Sequence, residues 1–224
     1  MTNKIHVAIL DDHPSIVDGY QYRLAGVENI EIVATAGYGD QLETLLDDNA
    51  VDLLLLDINV PTSIENNNPY PILYAIPRML KKHPELNILV ISMHNQRTLI
   101  QAIMDAGASG YILKDDRESI QKLGEIITSV NSGGIYFSSE SYRQLLKKKQ
   151  EMEPPVLTPR QQEVLSLCAS KPEASTAELA DSLNVAPSTV RNLLSNAYVR
   201  LGTRNRHAAV SKARQLGMIT PESN

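Results

Sequence analysis

A single cysteine in 224 residues, Cys168, excludes an intrachain disulfide framework. It lies in the helical apolar run Val164-Leu165-Ser166-Leu167-Cys168, the setting of a core residue rather than a nucleophile. No apolar run approaches the ~18 residues of a membrane span. The first residues, Met1-Thr2-Asn3-Lys4, lead straight into a strand pattern without a signal segment. A cytoplasmic protein with no membrane partner is the expectation. Charge of one sign is also scarce, the net being −5, but it is unevenly spread. Residues 1–154 hold 13 Lys/Arg and 21 Asp/Glu, a balance of −8; residues 155–224 hold 8 and 5, a balance of +3. The length suits one large domain or two ordinary ones, and an acidic body with a basic tail suggests that only the second part meets a polyanion.

What is present is organised around Val51-Asp52-Leu53-Leu54-Leu55-Leu56-Asp57. Four consecutive leucines between carboxylates read as a short strand buried on both faces, as in a parallel sheet. Ligands bind at the carboxyl ends of such strands, which places Asp57 at a site. The other strands are Lys4–Leu10, ending on Asp11-Asp12; Glu31–Thr35; Asn87–Ser92; and Gly110–Lys114. Helical patterns follow the acid pair and recur at Gln41–Asp48 and at about 72–83, 96–106 and 117–131. Five alternations of strand and helix predict right-handed βαβ units and a parallel sheet.

Asp11, Asp12, Asp57, Ser92 and Lys114 all stand at strand ends and therefore converge on one edge of that sheet. Packed carboxylates repel unless a cation lies among them. Mg²⁺ is the hard ion that accepts a few carboxylates plus water. With a hydroxyl and an ammonium beside it, such a group suits phosphoryl transfer, and Asp57 can serve as the nucleophile that becomes an acyl phosphate.

Residues 4 to about 131 resemble a response-regulator receiver domain, through Asp57-Ile58-Asn59-Val60-Pro61 and the run Gly107–Asp115. The resemblance implies a flavodoxin-like (βα)5 fold with Asp57 as phosphoacceptor. It further implies that Asp12, Asp57 and the Asn59 carbonyl ligate Mg²⁺ with Asp11 assisting through water, that Ser92 and Lys114 bind the phosphoryl group, and that Tyr111 is a switch aromatic. One departure stands out. The connection Thr62–Pro71 is several residues longer than the family's and lacks glycine, so it reads as an Asn/Pro-rich loop placed to tune the phosphoryl lifetime. Pro77 is expected to bend or shorten the helix after it.

From Ser138 the pattern weakens, and 132–155 reads as a linker; Tyr142–Gln150 is a candidate short helix whose lysine triplet is a solvated face. Residues 156–219 then give four helices. Thr158-Pro159-Arg160-Gln161 and Ser175-Thr176-Ala177-Glu178 are capping boxes, and Pro187–Leu201 is a longer helix closed by Gly202. Two helices joined by a short turn within an all-α domain suit helix-turn-helix. Val190, Leu193, Leu194 and Ala197 form its expected buried stripe. Ser188, Thr189, Arg191, Asn192, Ser195 and Tyr198 are expected off it, where Arg and Asn can read bases. Arg200, Arg204 and Arg206 suit phosphates.

These stretches, with Leu201-Gly202-Thr203-Arg204-Asn205-Arg206, resemble the LuxR-type helix-turn-helix of the NarL/FixJ family. Ala186 replaces the usual Ser/Thr cap, Leu193 a common histidine and Ser195 a frequent basic residue, so the DNA site cannot be borrowed from relatives. The resemblance implies a DNA-binding response regulator that is not an enzyme. A sensor histidine kinase would phosphorylate Asp57, and phosphorylation would control homodimerisation on double-stranded DNA. The alternative is a phosphorylation-independent regulator switched by a ligand or partner protein. A metal-dependent phosphatase is disfavoured because Asn59 stands where such enzymes want a second acid.

Overall fold

The structure is a computed structural model that describes residues 4–146 and 157–219. Six parallel strands form one sheet in the order β2-β1-β3-β6-β7-β8. They are β1 (Ile5–Leu10), β2 (Ile30–Ala36), β3 (Leu53–Leu56), β6 (Asn87–Ser92), β7 (Gly110–Leu113) and β8 (Tyr136–Phe137). Two further strands, β4 (Pro61–Ser63) and β5 (Asn66–Pro69), pair only with each other.

The period of two explains why β3 needs four leucines. Leu54 and Leu56 enter the core on one face, with α2 (Leu42–Asp48), α3 (Ile72–Lys82) and α4 (Arg97–Asp105). Leu53 and Leu55 enter the other, with α1 (Pro14–Leu24) and α6 (Leu123–Asn131). Helices cover both faces, so no position on this strand is free to be polar until Asp57.

Three local features depart from the sequence expectation. The 62–71 loop is a β-hairpin, held by cross-strand bonds such as Thr62 Oγ1 to Asn68 O at 2.8 Å. Helix α3 is not shortened at Pro77 and continues through it to Lys82. The helical pattern of 117–131 is divided at Lys122 into α5 (Arg117–Gln121) and α6.

The stretch read as a linker carries, in its described part, β8 and α7 (Ser139–Leu146). Ser138 joins them to the sheet: its amide donates to Tyr111 O, and its hydroxyl accepts from the Leu113 amide at 3.1 Å. A two-residue strand is invisible to periodicity because its stability comes from a partner 26 residues away. The lysine triplet Lys147-Lys148-Lys149 lies outside the described residues.

The second domain is four helices: α8 (Pro159–Ser170), α9 (Thr176–Leu183), α10 (Pro187–Leu201) and α11 (Arg206–Gln215). Both expected capping boxes are formed, and Ala186 leaves α10 without a side-chain cap. The turn before α10 is closed by Asn184 in the left-handed region, a conformation asparagine tolerates.

Gly110 lets β8 dock. A Cβ there would lie 2.7 Å from both Leu89 Cδ1 and the Tyr136 carbonyl oxygen. Gly110→Ala is therefore expected to cost about 1–3 kcal/mol through overpacking, read as a lowered urea midpoint with increased exchange of the Tyr136 and Ser138 amides.

Candidate functional site

Parallel pairing brings the carboxyl ends of β1, β3, β6 and β7 to one edge, and the polar residues that follow them meet there. Asp11 and Asp57 are 4% and 5% exposed, yet both are charged-type side chains. Lys114 reconciles this: its Nζ donates to Asp11 Oδ2 at 2.7 Å and to Asp57 Oδ2 at 2.8 Å. Burial alone would depress the ammonium's pKa, but the bonds to both carboxylates outweigh it and hold it above the ordinary lysine value. The same carboxylates act on Tyr20, whose phenol is pushed well up by burial and by the negative charges of Asp11 and Asp57.

The remaining carboxylate oxygens form a half-satisfied group. Asp57 Oδ1 accepts the Asn59 amide at 3.2 Å, and Asp11 Oδ1 accepts the His13 amide at 3.0 Å. Asp12 Oδ1 is buried and accepts no hydrogen bond among the described residues; His13 Nδ1, 2.9 Å away, opposes it as a charge only when protonated. One ligand atom from each of Asp11, Asp12, His13 and Asp57 can be chosen within 4.8 Å of the others. An orphaned buried carboxylate oxygen within an oxygen-rich set fits a hard divalent cation. These acidic residues are consistent with a Mg²⁺ site.

Ser92 and Tyr111 adjoin this edge and are fully buried. The Ser92 hydroxyl accepts the His94 amide at 3.1 Å, and the Tyr111 hydroxyl donates to the His94 carbonyl at 2.7 Å. Burial raises the Tyr111 pKa, partly offset by a bond from Ser92. The aromatic ring is thus already turned inward.

Helix α10 lies against α4 and α7. Arg191 Nε donates to Gly107 O at 3.2 Å, and Asn192 Nδ2 to Asp105 O at 2.6 Å. Asn196 exchanges bonds with Gln101 and with the Asp105 carboxylate. Arg204 stacks over the Tyr142 ring of α7, its Cζ 4.8 Å from the centroid. Arg206 donates to the carbonyls of Pro172 and Ala174 within its own domain. Thr189 and Arg200 are exposed and Ser188 is half-buried.

The residues that match the family model described as the response regulator receiver domain are 7–125, more than half of the chain. Residues 155–213 match the model described as bacterial regulatory proteins, luxR family. The chain belongs to the response regulators. It joins a receiver to a LuxR-type DNA-binding domain, as in the NarL/FixJ type. The regulator is 29% identical to the transcriptional regulatory protein MctR of Rhizobium johnstonii, over 97% of its own length and 96% of the relative's. It is 25% identical to the response regulator UvrY of Escherichia coli, over 88% of each chain. A solved structure of RcsB dimers bound to DNA superposes with a TM-score of 0.57 at 25% identity, covering 97% of this chain and all of that one.

The regulator corrects one part of the sequence reading. Arg191 and Ser195, expected off the buried stripe, are 3% and 2% exposed, and Tyr198 is fully buried. Tyr198 belongs to the helix's own core: Val190, Leu194, Ala197, Tyr198 and Leu201 follow the 3.6-residue period, while Leu193 is only half-buried. That signal was available in the spacing. Arg191 is buried for another reason, the contact with the receiver, which no local pattern reveals. Its guanidinium is driven down to a pKa of about 10 by burial, which the charge of Glu85 offsets in part.

Replacing the shared ammonium tests the receiver geometry. Lys114→Met leaves two buried carboxylates without their cation and is expected to cost about 3–5 kcal/mol of stability without divalent ions. Because the pKa of Lys114 is raised in the fold, its contribution is fully present below the unfolded value of ~10.4 and fades as pH rises through the raised one. The gap between parent and variant in urea unfolding should therefore stay flat from about pH 6 to 9 on this group's account.

Proposed function

We propose that this regulator is switched by phosphoryl transfer from a sensor histidine kinase to Asp57, and that the switch governs access of α10 to double-stranded DNA. The observation that carries the proposal is the Lys114 ammonium held between Asp11 and Asp57, with Ser92 and the acid pair at the same sheet edge. It supplies a buried nucleophile with a fixed cation for the oxygens of an incoming phosphoryl group.

In the transfer, the phosphorus–nitrogen bond of a phosphohistidine breaks as an Asp57 oxygen bonds to phosphorus; the imidazole leaves with the electron pair. Asp12, Asp57 and the Asn59 carbonyl, with Asp11 through water, would hold Mg²⁺, which when bound neutralises carboxylate and phosphoryl oxygens. Lys114 exchanges its bond to Asp57 Oδ2 for one to a phosphoryl oxygen. Ser92 turns its hydroxyl from the His94 amide to the phosphate.

That exchange reaches α10 through contacts already described. His94 bonds both Ser92 and Tyr111 and lies just before α4, which presents Gln101 and Asp105 to α10. The docked helix buries Arg191 and engages Asn192, the pair suited to base reading. Displacing α4 frees them, together with Ser188, Thr189 and Ser195, while Arg200, Arg204 and Arg206 take phosphates. A homodimer then spans paired half-sites. The regulator works in the cytoplasm and is not itself an enzyme; no helix among the described residues is long and apolar enough to cross a membrane.

The test is DNA affinity and sedimentation mass of the full chain in Mg²⁺, with and without beryllofluoride, beside Asp57→Ala. At least a tenfold gain in affinity, about 1.4 kcal/mol, with dimerisation, both lost in the variant, is expected. A response unchanged in Asp57→Ala, or absent altogether, would favour the phosphorylation-independent regulator. In the activated state Arg204→Ala should weaken binding evenly across sequences and reduce the salt slope by about 1.

A further inference from the structure

The hairpin β4–β5 lies outside the six-stranded sheet, yet its base is anchored. Its outer residues Asn66, Asn67 and Asn68 are exposed and contribute nothing to the core. Its base is fixed by the Tyr70 amide, which donates to Val60 O at 2.9 Å, and by the Tyr70 ring, which covers Gly39. A Cβ on Gly39 would fall 2.0 Å from Tyr70 Cγ, so glycine is required under the ring.

Seated there, the hairpin closes one side of a cavity of about 660 Å³. Pro61 and Asn67 form that side, Asp18 and Gln21 of α1 stand opposite, Tyr38 flanks them, and Asp12 lies at the inner end. The Asp57 carboxylate is within the compact acid group just behind Asp12. The volume falls in the range of about 300–1,000 Å³ typical of small-molecule sites, beyond what a phosphoryl group alone occupies. None of the described residues lining it is Lys or Arg.

We propose that the hairpin and α1 form a leaving-group pocket that selects N-phosphoryl donors, phosphoimidazoles and phosphoramidates, over acyl phosphates. The proposal rests on Asp57 being the phosphoacceptor. In either reaction an Asp57 oxygen forms the new bond to phosphorus and the leaving atom keeps the electron pair of the broken bond. An amine or imidazole takes a proton from water and departs neutral or cationic; Asp18 favours its charge, Asp12 being committed to Mg²⁺, and Asn67 and Gln21 can hydrogen-bond it. An acyl phosphate releases a carboxylate into the same space, where Asp18 repels it and no Lys or Arg among the lining residues receives it. Asp18 is exposed, so its field is screened and its share of the preference is modest.

The experiment measures loading of the full chain in Mg²⁺ by intact mass, with phosphoramidate and with acetyl phosphate, over a range of donor concentrations. Three variants are compared with the parent: Asp18→Asn, Asn67→Ala, and a chain in which residues 62–69 are replaced by a Gly-Ser turn. The parent is expected to load from phosphoramidate with the higher kcat/KM. Asp18→Asn and the hairpin replacement should each shift the donor ratio toward acetyl phosphate by about threefold, largely through the apparent KM. Donor ratios unchanged in both, with Asp57→Ala abolishing loading, would overturn the pocket and leave the phosphoacceptor reading intact. Loading that persists in Asp57→Ala, or is absent from the parent with both donors, would overturn the phosphoacceptor reading itself. If the replaced hairpin does not fold, the Asp18→Asn ratio decides.

Discussion

Two buried carboxylates share one ammonium, and most of the receiver follows from that constraint. Asp11 and Asp57 can be charged in a nearly dry setting because Lys114 reaches both from a third strand. Three strand ends must therefore stay in register, β1 and β3 as neighbours and β7 two places along the sheet. A buried pair of this kind is weak evidence for stability as such, since apolar replacements often fold as well. It is better understood as a poised arrangement, in which adding a third anionic group rearranges the partners rather than simply tightening them.

The same logic of unsatisfied groups describes α10. Arg191 is almost wholly buried, but its described hydrogen-bond acceptor is a backbone carbonyl, and Nη2 has no partner among the described residues. Burying a guanidinium with no carboxylate bonded to it is costly, and Glu85 offsets only part of the fall in its pKa. The docked helix is thus held by polar contacts from Asn192 and Asn196 and by the stacked Arg204, against a penalty at Arg191. Residues that suit base edges suit carbonyls for the same geometric reason, so the receiver carbonyls of Gly107 and Asp105 engage the side chains proposed to read DNA.

The sequence made the sheet and its polar edge legible because both rest on local pattern. Alternating strands and helices fix parallel pairing, and parallel pairing fixes which ends share an edge. The capping boxes at Thr158 and Ser175 were readable for the same reason, each being complete within four residues. The hairpin was read as a loop because three asparagines and two prolines carry no apolar alternation; its strands are sustained by each other and by Tyr70 on Gly39. Strand β8 is two residues long and depends on β7. The burial of Arg191 depends on its contact with the receiver at Gly107 and could not appear in any window of α10, whereas that of Tyr198 is present in the helical period.

The magnitudes are suited to a switch. Net contributions of about 0.5–1.5 kcal/mol per hydrogen bond give the contacts between α10 and α4 a few kcal/mol together, reduced by the buried arginine. Under the proposed phosphotransfer, a phosphoryl group on Asp57 would take over a bond that Lys114 already makes, so that exchange would be nearly neutral. The gain comes from Ser92 and the backbone around it, at about 1.5–3 kcal/mol for bonds to a charged group. Moving an equilibrium from 1:99 to 99:1 needs about 5.5 kcal/mol, more than this exchange supplies alone. Complete release therefore requires a second favourable term. DNA and a second copy of the chain can supply it, because each engages surfaces that the docked helix conceals. On the proposed reading phosphorylation would weaken the closed state rather than abolish it, and DNA would complete the opening.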